Sequence, residues 1–196
     1  MKHGIVVVLW LGLAGCSFGP ACGPLPEWVC APGAYKGAKP GVEYFVGAGA
    51  PRQTRTLAAH SAAESAGDRV ARYVGEIVGA KWQTGDRTKA LPGRQSIVAV
   101  AAELARHALA TGKAALPKPV QTHLRRVGGS YDGEAVEMYR IDRLYGVSTA
   151  QMVAIARAAA SQVPDELRGE TCEVRKTRLA ELMRLLAGLS SKDFKL

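Results

Sequence analysis

Side chains able to do chemistry are sparse in this chain, and the densest group is His60, Ser61 and Glu64. A hydrolytic nucleophile needs a base within hydrogen-bond reach and a third group that orients the base. Neighbours on a helix point apart, so His60 and Ser61 cannot face one substrate, and no triad is expected. His107 and His123 stand alone, while Asp132, Glu134, Glu137 and Asp142 fall at a turn and on alternating strand positions, where a solvated face accounts for them. Gly47 and Gly49 lie between a strand and a helix, but the stretch GAGAPR lacks the third glycine of a dinucleotide loop. No acid-ended strand follows at the expected distance either, so close helix-to-strand packing is their expected role. No enzymatic activity and no cofactor is expected. The four cysteines, Cys16, Cys22, Cys30 and Cys172, have neither x-x spacing nor a histidine pair beside them, so no metal site is expected either.

The chain opens with Lys2 and His3, and an apolar run over residues 5–13 follows that holds no acid and ends on small residues. Such a run is too short to cross a bilayer and fits a signal peptide. Its end, Leu13-Ala14-Gly15-Cys16, resembles the lipobox of bacterial lipoproteins. The resemblance implies diacylation of Cys16, cleavage before it and acylation of the new amine, so residues 1–15 would be lost. Buried acyl chain contributes about 0.8 kcal/mol per methylene, and several chains make a stable anchor. Ser17 stands where an aspartate would, by analogy with enteric bacteria, retain the protein in the inner membrane. The expected address is therefore the outer membrane, lipid-anchored, with the domain facing the periplasm or the cell surface.

Loss of that leader lowers the formal net charge from +9 to +8, because it carries one Lys and no acid. Export excludes nucleic acid as the partner of this basic chain and leaves anionic lipid, lipopolysaccharide or cell-wall polymer. Solvated arginine in a basic proteome accounts for the charge equally well. With Cys16 lipidated, three cysteines remain in an oxidising compartment, so at most one internal disulfide forms. Cys22 and Cys30 are close in sequence and share a Pro/Gly-rich stretch, and they are favoured over a link to Cys172.

Residues 16–41 hold five prolines and five glycines, a composition that cannot propagate a helix, and read as the lipidated N-terminus and a tether. Trp28 and Val29 within it are expected to dock on the domain. Residues 42–49 read as a strand. Residues 57–78 follow as a helix with Ala58, Ala62 and Ala66 on one narrow face. A second helix starts after Ser96 and stops at Gly112. Residues 120–130 and 134–145 form strands around an Asp132-Gly133 turn. Ser148 and Gln151 open a helix as a capping box, and it runs to Pro164. A last amphipathic helix spans residues 171–189 with a basic side. The order β-α-α-β-β-α-α predicts an α+β fold: a small antiparallel sheet of about three strands packed by helices, over residues 42–163, with an additional C-terminal helix in residues 164–196.

Pro26-Glu27-Trp28-Val29, then Tyr44-Phe45-Val46-Gly47-Ala48-Gly49-Ala50, then an Ala-rich helix with Ala58, Ala62, Ala63 and Ala66 together resemble the Lpp-twenty family of outer-membrane lipoproteins. The modules of that family are similar to the N-terminal domain of a flagellar assembly protein. The resemblance covers residues 26–80 and, more loosely, residues 120–163, whereas residues 97–112 and the tail after Pro164 depart from the pattern. It implies the outer membrane or cell surface and no general enzymatic activity.

Arg125, Arg126, Arg140 and Arg143 fall on the two hairpin strands, where they could gather as a basic patch for an anionic polymer. Cross-strand pairing with Glu134, Glu137 and Asp142 is the favoured account. The functional expectation is a non-enzymatic envelope lipoprotein that serves as a structural or protein-interaction module, with other envelope proteins as partners. The alternative is a binding module for an anionic envelope polymer such as cell wall or lipopolysaccharide.

Overall fold

The computed structural model describes residues 25–84, 96–162 and 173–194. A one-turn helix α1 (Glu27–Cys30) and a 3-10 turn (Pro32–Ala34) precede β1 (Val42–Ala48), α2 (Arg55–Thr84) and α3 (Ile97–Ala110). The chain continues as β2 (Gln121–Tyr131), β3 (Glu134–Ser148), α4 (Thr149–Ala160) and α5 (Glu173–Gly188). The strands form one antiparallel sheet in the order β1-β3-β2, so the fold is α+β with a C-terminal helix, as the residue pattern predicts.

Local chemistry sets the element boundaries. Asp132 and Gly133 both take positive φ, 51° and 85°, the backbone of the tight turn whose twist matches a β-hairpin. Ser96 caps α3 by accepting a hydrogen bond from the Ala99 amide. Ser148 and Gln151 close a complete capping box at α4, which satisfies amide donors that the first helical turn would otherwise leave bare.

The helices cover one face of the sheet. Phe45, Tyr145 and Val147 point from β1 and β3 into a single apolar core with α2, α3, α4 and α5. Contact between α2 and β1 is close because Ala58, Ala62 and Ala66 meet two glycines. A Cβ on Gly47 would fall 1.9 Å from the carbonyl oxygen of Ala62, and one on Gly49 would fall 2.6 Å from that of Ala58. The packing role expected for these glycines is therefore what the backbone requires.

Strand alternation places Tyr44 and Val46 on the opposite face. There Tyr35 lies against Tyr44 with ring centroids 5.2 Å apart, and the Tyr44 hydroxyl accepts from the Lys39 amide. The Pro/Gly-rich segment thus lines the second face of the sheet over residues 35–39. It breaks into α1 and the 3-10 turn, each a single turn, as its prolines dictate. α1 lies against β3, and Trp28 within it is half-buried.

The C-terminal end is fastened to α2. Leu182, Leu186, Leu189 and Phe194 are buried, and Phe194 approaches Tyr73, which in turn meets Phe45 edge-on. Asp193 pairs with Lys81 and accepts hydrogen bonds from the Ser190 amide and hydroxyl. The Lys81 hydrogen bond first, and the Ser190 amide second, lower the Asp193 carboxyl from 3.8 to about 2. A depressed carboxylate stabilises the fold above its unfolded value, and the contribution is lost as pH falls through the folded one. The melting temperature should therefore fall between pH 4 and pH 2 by more in the parent than in Asp193→Asn, as followed by circular dichroism. Parallel curves for the two proteins would mean that the pair does not secure the tail.

Candidate functional site

The four arginines of the hairpin do not form one patch. Arg125 and Arg140 stand directly opposite each other on the face that Val46 and Leu144 share, away from the helices. Arg126 and Arg143 lie on the other face, where Arg126 pairs with Glu137 at 3.3 Å and Arg143 donates to the carbonyl of Ala59 at 3.4 Å. Adjacent strand residues point to opposite faces, so the neighbours Arg125 and Arg126 were bound to separate once the strand formed.

Asp142 is buried instead of solvated. Its place among alternating strand residues suggested a solvated carboxylate, yet it has no exposed surface. Arg125 Nη2 lies 3.5 Å from its Oδ2 and Arg140 Nε lies 3.8 Å from its Oδ1. Those distances are ion pairs without hydrogen bonds, and both carboxylate oxygens and the Nε of each arginine are buried with no hydrogen-bond partner among the described residues. Cross-strand pairing, the favoured account from the sequence, holds for Arg125 with Asp142 and Arg126 with Glu137, whereas Arg140 pairs with Asp142 along its own strand. Burial of the carboxylate was hidden because Ile141 and Leu144 on either side of it do not alternate cleanly with the charges.

The residue pattern gave no sign of a concave feature beside α2. α2, α3 and the loop after α3 enclose a groove of about 680 Å³ whose lining includes Ala63, Gly67, Leu109 and Leu116. Its rim carries His60, Glu64, Asp68 and Arg106. Arg106 donates to Asp68 at 2.6 Å and also pairs with Glu103, and the Asp68 hydrogen bond is the main reason its pKa is raised. The spacing of Asp68 and Arg106, 38 residues apart in sequence, offered no local signal of this contact.

His60 and Ser61 do not come together. His60 Nε2 contacts Glu64 Oε1 at 3.2 Å on the exposed side of α2, one helical turn away, as i,i+4 spacing allows. Ser61 turns the other way and accepts a hydrogen bond from the Ala50 amide at 3.0 Å, which fixes the loop between β1 and α2. His107 is exposed on α3, and His123 is half-buried opposite Asp142 in the strand register. Among the described residues no three His, Cys, Asp or Glu side chains gather where a metal could sit.

Cys30 is disulfide-bonded. Cys16, Cys22 and Cys172 lie outside the described residues, so the pairing of Cys22 with Cys30 and the lipidation of Cys16 rest on the sequence. No helix among the described residues is long and apolar enough to cross a membrane.

Fold and site define an α+β domain of one three-stranded sheet with helices on one face. Compared with protein-family models, curated proteins and solved structures, the chain matches none.

Proposed function

We propose that this chain is an exported lipoprotein, anchored on the outer membrane through lipid on Cys16, whose α+β domain is a non-enzymatic structural or protein-interaction module of the envelope. The observation that carries this reading is Leu13-Ala14-Gly15-Cys16 at the end of a short, acid-free apolar run. The segments that resemble the Lpp-twenty family support it. Residues 26–29 form most of α1, and residues 44–50 form β1 and the turn towards α2. The turn of Ser61 away from the His60–Glu64 pair and onto the Ala50 amide supports the non-enzymatic part, because it separates the hydroxyl from the imidazole.

Cys16→Ala should yield a chain that takes up no fatty acid and either stays unprocessed or leaves the membrane fraction. Metabolic labelling with a clickable fatty acid reads this directly, and label retained by the variant would overturn the lipoprotein reading. Capture of partners from solubilised envelope at low and high salt separates a protein-interaction module from a polymer binder. A charge-driven contact to cell wall or lipopolysaccharide must weaken as ionic strength rises, whereas a packed protein interface is much less sensitive.

A further inference from the structure

Arg125 and Arg140 sit directly across the strand pair from each other. Like charges in that position repel, and a sheet does not place them so without compensation. Asp142, on the same face, lies between them at 3.5 Å and 3.8 Å and offsets one of the two charges. The group is left with a net charge of +1 in a half-buried setting: the side chains of Arg125 and Arg140 are 30% and 38% exposed, and that of Asp142 is 0% exposed. Four buried polar atoms without a hydrogen-bond partner converge here, Arg125 Nε, Arg140 Nε and both Asp142 oxygens. Buried donors of this kind normally have an acceptor; among the described residues the nearest is Asp142, which at 3.5 Å and 3.8 Å makes no hydrogen bond to either guanidinium and leaves their donors open to a further acceptor.

We propose that Arg125 and Arg140 form a seat for an oxyanion of single negative charge, a carboxylate or a phosphodiester, with Asp142 beneath them as the positioning residue. Two guanidiniums drawn to the same carboxylate from opposite positions in the strand pair offer N–H donors to the oxygens of one ligand, and arginine is the residue that binds such anions most strongly. Asp142 sets the spacing of the arginines from the inside, and a group arriving from solvent meets both arginines before it could reach the carboxylate. The charge balance selects a monoanion, because the site is already half neutralised. His123, opposite Asp142 in the register and half-buried on the same face, is the nearest further donor along the strand. The site is independent of the lipid anchor and would stand if Cys16 were never acylated.

Arginine-labelled full-length chain, titrated with sodium acetate and separately with sodium dimethyl phosphate, tests this by the Nε–Hε resonances, with chloride exchanged to hold ionic strength constant. The expected result is a saturable shift of the Arg125 and Arg140 signals while Arg126, one residue away on the opposite face, stays still. The anion that saturates at the lower concentration tells whether a carboxylate or a phosphodiester is preferred. Arg140→Gln should weaken the response of Arg125 by about tenfold or more, and Arg126→Gln should leave it unchanged. Equal, unsaturated drift of all three arginines, or no shift with either anion, would overturn the proposal. Because Arg126 is an internal reference in the unaltered protein, the titration decides the matter even if Arg140→Gln fails to fold.

Discussion

Gly47→Ala should be among the most damaging single-methyl additions in this protein. The added Cβ would fall 1.9 Å from the carbonyl oxygen of Ala62 and 2.9 Å from the Cβ of Ala66. Backbone oxygen cannot rotate away as a side chain can, so α2 must lift from β1, and the contact between Ala58, Ala62 and the sheet opens with it. Overpacking usually costs about 1 to 3 kcal/mol, and a clash with helix backbone belongs at or above the top of that range. Against a total stability of about 5 to 15 kcal/mol, the urea midpoint should fall by a large fraction. Gly128→Ala supplies the comparison, since Gly128 is also a strand glycine but a Cβ there meets nothing within 4 Å. That variant should match the parent to within about 0.5 kcal/mol, or gain slightly by restricting the unfolded chain. Equal midpoints for the Gly47 and Gly128 variants would show that helix and strand do not approach this closely.

The same two positions show what could be read without coordinates. Gly47 sits five residues after the start of a β-branched and aromatic run at Val42 and is followed by alanines at helical spacing, so a close helix-to-strand contact was legible. Gly128 sits in a run of equal β character and looks no different, because what surrounds a glycine is decided by the third dimension. Turn and cap chemistry was legible for the same local reason. Asp132-Gly133, Ser96 and the Ser148–Gln151 box each act within four residues, and all three stand where the pattern put them.

Long-range pairings were not legible. The groove lies between α2 and α3, where Asp68 meets Arg106 across 38 residues of sequence, and the buried carboxylate depends on register between β2 and β3, which set Arg125 against Arg140. A shift of one residue in that register would move Arg125 to the helix face and bring Arg126 beside Asp142. The sequence named the four arginines but held nothing that could sort them by face beyond simple alternation, and the alternation in β3 is broken by Ile141 and Asp142, both buried on opposite faces.

Leu182→Asp should be as destructive as the glycine change, through a different cause. Leu182 and Leu186 lie one helical turn apart on α5, have no exposed surface, and join Leu189 and Phe194 in the same core as Phe45 and Val70. An amphipathic leucine face can pack on its own domain or on a second copy. In the structure it packs against α4 and the rest of the core. Truncating a buried leucine to alanine costs about 2 to 5 kcal/mol, and aspartate adds the burden of a charge without a partner in that apolar setting. The expected loss is about 4 kcal/mol or more, enough to leave a marginal domain partly unfolded at ambient temperature. Arg184→Asp, on the exposed side of the same helix, alters charge without touching the core and should shift the midpoint little. Sedimentation alongside the melting curves separates the two uses of the leucine face. A chain that keeps its melting temperature with Leu182→Asp but drops from dimer to monomer would place the leucines between copies and would remove α5 from the domain core.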